Sequence, residues 1–131
     1  MNIQVTQFIN QIQKKSDIVL ENILLIYDFI KGKFNINNHN IFILERSIGT
    51  SPAIYLAYKR KPNALFVISG FSSIKEVTHN LVKERFLSID YIKNATCPII
   101  FIHGQNVPLI HFQETLKLKS MLNCPFEVIL P

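Results

Sequence analysis

The chain has 131 residues, of which 48% are hydrophobic and 18% are charged. These values suit one packed globular domain, or part of one, and exclude a disordered chain. Lys and Arg outnumber Asp and Glu by 14 to 9, but the basic residues are scattered and form no single stripe interleaved with aromatic residues, so we expect no nucleic-acid binding.

Hydrophobic residues alternate between helical and strand spacing along the chain. A helix is predicted over 18–34, and a polar loop follows at 35–40. Four short apolar stretches predict strands buried on both faces; they lie near 41–45, 64–69, 98–103 and 126–130. Three further helices are predicted, over 52–58, 73–85 and 113–122. The pattern therefore predicts an α/β fold, with about four parallel strands and helices on both faces of the sheet.

The compartment is inferred from the N-terminus and the cysteines. The first residues lack a basic start followed by an unbroken apolar run, and no window has the length of a membrane span. Cys97 and Cys124 are therefore expected to be reduced thiols in a cytoplasmic protein. Because no Cys or His residues have metal-ligand spacing, we expect neither a metal nor another cofactor.

The segment "IFILERSIGTSP" at 41–52 places Ser47 between a predicted strand and a predicted helix. Many hydrolases hold their nucleophilic serine at such a turn, where the residues two before and two after it are small because strand and helix approach closely. Gly49 meets this requirement, whereas Glu45 stands where a glycine is expected. We expect Glu45 either to open the turn or to be pushed outward, and either change to misplace the Ser47 hydroxyl.

Three segments together resemble one family of α/β-hydrolase-fold proteins. They are "NIFILERSIGTSPAIYLAYK", "ISGFSSIKEV" and "RFLSIDYIKNATCPIIFIHGQNVPLI". In order and spacing they resemble the elbow, the next strand end and the Cys-Pro strand with its His-Gly turn in the abhydrolase-domain protein depalmitoylases and their serine-aminopeptidase-like relatives. The resemblance covers roughly 17–131. It implies a single incomplete domain over 1–131, truncated at both ends, in which 1–16 is an N-terminal extension.

The resemblance implies hydrolysis of an ester or thioester by a Ser–Asp–His triad, acting on an acylated protein or lipid. Ser47 stands at the nucleophile position, and the backbone N–H of Ile48 at the position of one oxyanion donor. The second donor and the catalytic histidine belong to segments that we expect to lie outside the chain. The position of the catalytic acid, four residues after His103, is Val107, which cannot orient an imidazole.

Other polar residues are not expected to replace the missing groups. By the resemblance, His103 is a structural turn residue, whereas His79 and His111 are expected on exposed segments. Glu76 lies near an alternative acid position of this fold but has no histidine to orient. Asp90, in a predicted loop, is expected to cap a helix or to form a salt bridge.

We therefore expect a chain without esterase activity of its own, because losing several triad members leaves only residual catalysis. Two alternatives stay open: an active serine hydrolase represented by an incomplete sequence, and a non-catalytic subunit of a larger assembly. The strand at 41–44 has no predicted neighbour on one side, and such an edge recruits other chains or aggregates. Either 1–16 folds over the edge, or a protein partner completes the sheet, or the product is unstable.

Overall fold

The computed structural model of the chain describes residues 3–77 and 87–131. Helices and strands alternate in this part of the chain. The helices are α1 (Ile3–Lys33), α2 (Thr50–Arg60), α3 (Ile74–Val77), α4 (Ser88–Ile92) and α5 (Gln113–Ser120). The strands are β1 (Phe42–Arg46), β2 (Ala64–Ile68), β3 (Ile99–Ile102) and β4 (Phe126–Ile129).

The four strands form one parallel sheet in the order β1-β2-β3-β4. Phe42 of β1 is in register with Ala64 of β2, and Leu65 of β2 with Ile99 of β3. The positions of the four strands predicted from the apolar stretches are confirmed to within two residues at each end, but their expected burial on both faces is wrong for β1 and β4, whose residues are mostly exposed. The predicted α/β class with a parallel sheet is likewise confirmed.

The connecting helices lie on one face of this sheet. The strands follow in chain order, and right-handed crossovers that all step in the same direction place their helices on the same face. Burial in β2 agrees, since Leu65 and Val67 are fully buried while Phe66 and Ile68, on the other face, are only half-buried. In the described part of the chain, the cover expected on both faces is therefore present on one.

The core fills the space between the covered face and the helices. Its centre is formed by Ala53, Ile54 and Ala57 of α2, which pack with buried residues of β2 and β3. Helix α2 contacts α1 on one flank and α4 on the other, and α4 contacts α5. The helices are thus arranged side by side in the same order as the strands, with α1 outermost on the β1 side.

One helix prediction and one loop prediction differ from the structure, and one helix prediction is only partly covered by the described residues. The helix predicted over 18–34 begins at Ile3, so most of the segment 1–16 extends α1 and does not pair with β1. Of the helix predicted over 73–85, the structure describes Ile74–Val77 as helical, and 78–86 lie outside the described residues. The loop predicted around Asp90 is wrong, since Ser88–Ile92 forms α4.

Candidate active site at the strand–helix corner

Ser47 lies at the corner between β1 and α2. The strand ends at Arg46, and the 3-10 turn Ser47–Gly49 leads directly into the helix. Ser47 has a φ of 52°, in the left-handed region that residues with a Cβ rarely adopt outside strained turns. The Thr50 hydroxyl donates a hydrogen bond of 2.6 Å to the Ser47 carbonyl and so stabilises the turn. This is the tight strand-to-helix geometry that presents a serine at the end of a hydrolase sheet.

The side chain of Glu45 lies against Gly49. A Cβ built on Gly49 would collide with Glu45 Oε2 and lie 3.2 Å from Glu45 Cδ. Gly49 itself has a helical φ of −67°, so backbone freedom does not require a glycine here, and a Cβ would displace only the end of the Glu45 side chain. We expected Glu45 either to open the turn or to be pushed outward. In the structure the Glu45 side chain points outward and is exposed, and the turn is not opened, since Ser47 keeps its positive φ.

The amide of Ile48 follows Ser47 in the same turn. The N–H groups at the start of a helix have no intrahelical acceptor, and they favour negative charge at that end. The Ile48 side chain is 59% exposed, so the corner is open to solvent. This N–H is the one oxyanion donor that the sequence analysis assigned.

Among the residues that the structure describes, no side chain is hydrogen-bonded to the Ser47 hydroxyl. His103 is fully buried, and both of its ring nitrogens are engaged. Nε2 lies 2.7 Å from the Ile110 carbonyl and must carry the proton, which leaves Nδ1 to accept from the Thr115 hydroxyl at 2.7 Å. The ring therefore ties β3 to α5 and cannot take a proton from a serine.

The remaining candidate bases lie elsewhere. His111 is exposed, and its Nδ1 accepts a 3.4 Å hydrogen bond from the Gln113 amide. His79 falls outside the described residues, as does the side chain of Glu76. Asp90 forms an exposed ion pair of 3.6 Å with Lys93, in keeping with the salt-bridge role considered for it.

Val107 occupies the turn that follows β3, where the resemblance places the acid. Its side chain is half-buried, and Val107 Cγ2 lies 3.2 Å from the position of a Cβ on Gly104. The position is thus filled by an apolar side chain that packs against the backbone of the His-Gly turn. A valine has no oxygen with which to hold the Nδ1–H of an imidazole.

Sequence analysis missed Glu114, a buried carboxylate in the first turn of α5. Glu114 Oε2 accepts hydrogen bonds from the amide (3.0 Å) and the hydroxyl of Ser72, and Oε1 accepts from Lys117 Nζ at 2.7 Å. Burial opposes ionisation, but the hydrogen bonds from Lys117 and Ser72 outweigh it and lower the pKa of Glu114. An acidic residue in a first helical turn is ordinarily exposed, so the sequence carried little signal for this contact.

The two thiols are free. Burial, and to a lesser degree the neighbouring Cys124, raises the pKa of Cys97 to about 11, so Cys97 is a poor nucleophile at neutral pH. In the described ranges, 3–77 and 87–131, no group of three or more His, Cys, Asp or Glu side chains is arranged to hold a metal ion. None of the helices described there is long and apolar enough to cross a bilayer.

Comparison with known proteins gives a consistent set of relatives, although no family model matches. The chain is 29% identical to human alpha/beta hydrolase domain-containing protein 17B over 103 residues, covering 75% of this chain and 36% of that protein. It is 27% identical over 107 residues to alpha/beta hydrolase domain-containing protein aho-3 of Caenorhabditis elegans, covering 78% and 32%. The chain thus spans about a third of the length of each of these two relatives.

The fold is also that of solved hydrolases. An acylaminoacyl peptidase of Pyrococcus horikoshii superposes with a TM-score of 0.65 at 14% sequence identity, over 80% of this chain and 21% of that one. At this identity the likeness shows the fold alone. The match therefore supports the architecture of the sheet. Any conclusion about a reaction has to come from the residues at the β1–α2 corner.

Proposed function

We propose that this chain, an α/β hydrolase in fold and a sequence relative of the alpha/beta hydrolase domain-containing proteins, is a serine-hydrolase-like protein without esterase activity of its own. The type of activity that it resembles is removal of palmitoyl groups from proteins. In this proposal Ser47 keeps the nucleophile's position but not its activation. The proposal concerns the 131-residue chain when no other polypeptide is bound to it.

The proposal is carried by the surroundings of Ser47. A serine hydroxyl is a weak nucleophile unless an imidazole takes its proton and a carboxylate orients that imidazole. His103 uses both ring nitrogens for structural hydrogen bonds, and a valine, Val107, stands where the resemblance would place the acid. Members of a triad act as a unit, so a serine without both partners keeps only a small fraction of the rate.

One observation favours the alternative, an active hydrolase completed by further polypeptide. The φ of 52° at Ser47 is a strained conformation, and such strain is kept where it serves a purpose. The Ile48 amide, which follows Ser47 in the turn, would then serve as an oxyanion donor. In that case the substrate would be an acylated protein or lipid, and the completing polypeptide would supply the base and the acid.

A fluorophosphonate probe distinguishes the two functions, because it reacts with a serine whose hydroxyl is activated. We expect the purified chain to remain unlabelled under conditions in which an active serine hydrolase is labelled to completion. The matched variant is Ser47→Ala, which should give the same background as the wild-type chain. Labelling that disappears in Ser47→Ala would overturn the proposal and support the active alternative.

A further inference from the structure

The two cysteines of the chain occupy equivalent places in neighbouring strands. Each is followed by a proline, as Cys97-Pro98 before β3 and as Cys124-Pro125 before β4. Strands β3 and β4 are parallel and hydrogen-bonded to each other. Two copies of the same dipeptide therefore enter the sheet side by side.

The register of the two strands brings the cysteines opposite each other. Ile99 of β3 is in register with Phe126 of β4, and each cysteine lies two residues before the paired residue. The hydrogen bonds between the strands reach toward the cysteines, since the Ile99 amide donates a 3.0 Å bond to the Pro125 carbonyl. Neighbouring strands lie about 4.7–4.9 Å apart, which falls within the roughly 4.4–6.8 Å that separates the two Cα atoms of a disulfide.

Both thiols lie on the covered face of the sheet. A residue before a proline is restricted to extended backbone, and side chains two residues apart in extended chain point to the same face. Cys97 belongs to the buried core together with Ile99, and Cys124 packs against the same core. Burial is the main cause of the raised pKa of the Cys97 thiol, and the second cause is the nearness of Cys124.

The two thiols differ in how accessible they are. Cys97 is 5% exposed, whereas Cys124 is half-buried. A small reagent in solution therefore reaches Cys124 first, with Cys97 placed behind it. Burial raises the pKa of both thiols, so both react slowly at neutral pH and faster at alkaline pH.

We propose that Cys97 and Cys124 form a site of reversible oxidation, at which a low-molecular-weight disulfide converts the two thiols into an intramolecular disulfide. The Cys124 thiolate attacks one sulfur of the small disulfide, which gives a mixed disulfide and releases one small thiol. The Cys97 thiolate then attacks Cys124 Sγ and releases the second small thiol. The two protein thiols give up two protons and two electrons, which convert the small disulfide into two small thiols.

The disulfide ties the start of β4 to the start of β3. It closes a loop that contains β3 and α5, and such a cross-link lowers the conformational entropy of the unfolded chain. The oxidised chain is therefore more resistant to denaturant than the reduced chain. Because the site lies at the amino ends of the strands, opposite the end that carries Ser47, the inference holds whether or not Ser47 is active.

The test is the thiol content and the mass of the intact folded chain after incubation with oxidised glutathione at about pH 8.5, where a larger fraction of the thiols is ionised. We expect the wild-type chain to lose both free thiols and the mass of two hydrogen atoms, and to carry no glutathione. A chain that keeps both thiols would overturn the proposal. So would a chain that ends as a glutathione adduct or as a disulfide-linked dimer.

Two matched variants test the order of the two steps. In Cys97→Ser the accessible Cys124 has no second thiol to resolve the mixed disulfide, so this variant should retain one bound glutathione. In Cys124→Ser the remaining thiol is the buried Cys97, which should stay mostly free over the same time. Equal modification of the two variants would contradict the assignment of Cys124 as the residue that reacts first.

A further measurement separates pairing in the folded chain from chance cross-linking of an unfolded one. The ratio of reduced to oxidised glutathione at which half of the wild-type chain is oxidised is determined in buffer and in concentrated urea. We expect the folded chain to stay oxidised at glutathione ratios about tenfold or more further toward the reduced side, because a disulfide that fits the fold is stabilised by it. An equal ratio in buffer and urea, or a shift in the other direction, would overturn the proposal.

Discussion

Glu114 is a buried carboxylate that links two elements of the fold. It joins the first turn of α5 to the loop that follows β2, through the Ser72 amide and hydroxyl, and it is paired with Lys117. Removing one partner of a buried hydrogen-bonded group leaves the other groups desolvated and unpaired, which costs more than the bond itself contributes. The contact therefore holds the carboxyl end of β2 against α5.

We predict that Glu114→Ala lowers the free energy of unfolding by about 2–3 kcal/mol, because the buried Ser72 amide and hydroxyl lose their acceptor. Urea denaturation of the two proteins measures the difference. The control is Glu127→Ala, since Glu127 is exposed on β4 and its removal should change stability by less than about 0.5 kcal/mol. Equal effects of the two substitutions would contradict this role of Glu114.

The difference in unfolding free energy between the wild-type chain and Glu114→Ala should also depend on pH. The pKa of Glu114 is lowered in the folded chain, so ionised Glu114 adds stability at pH values above the ordinary carboxyl range. That contribution disappears as the pH falls through the folded pKa, where the carboxylate is protonated. The stability difference between the wild-type chain and Glu114→Ala should therefore shrink on acidification below about pH 4.

At the scale of the elements, the β1–α2 corner contains a glutamate where a glycine is expected in a turn of this kind. Glu45 occupies the space beside Gly49, so the two positions are coupled. Ala at position 49 is compatible with the helical backbone there but not with the Glu45 carboxylate in its present place. The corner is thus a packed unit, and a change at one of the two residues alters the effect of a change at the other.

We predict a coupling of about 0.5 kcal/mol between Glu45 and Gly49 in a double-mutant cycle. Gly49→Ala should be more favourable in the Glu45→Ala background than in the wild-type chain, where the end of the exposed Glu45 side chain must move aside for the new Cβ. Gly32→Ala serves as the control, because nothing lies within 4 Å of a Cβ at that position. Strict additivity of Glu45→Ala and Gly49→Ala would show that the predicted collision does not occur.

The sequence predicted these elements to different extents. The four strands were predictable because short apolar, β-branched stretches alternating with helical patterns favour a parallel sheet, and the corner was predictable from Ser47 and Gly49. Helix α4 was not, since five residues carry too little periodicity to distinguish a helix from a loop. The Glu114 contact was not predictable either, because it joins residues 42 positions apart in the chain.

At the scale of the whole molecule, the sheet is covered by helices on one face and open at the β1 edge. The helices fall on one face because the strand order never reverses, a property of the topology that local patterns in the sequence do not encode. The apolar residues on the other face, among them Phe42 and Leu44, remain exposed. This architecture leaves Ser47 at an open corner with no imidazole bonded to it in the described residues.

The most direct measurement of the central claim is the rate at which the purified chain hydrolyses a palmitoyl thioester, compared with the rate of Ser47→Ala. We expect the same rate for both proteins, equal to that of the thioester in buffer, because no imidazole of the described residues is hydrogen-bonded to the Ser47 hydroxyl. Turnover by the wild-type chain that is abolished in Ser47→Ala would contradict it.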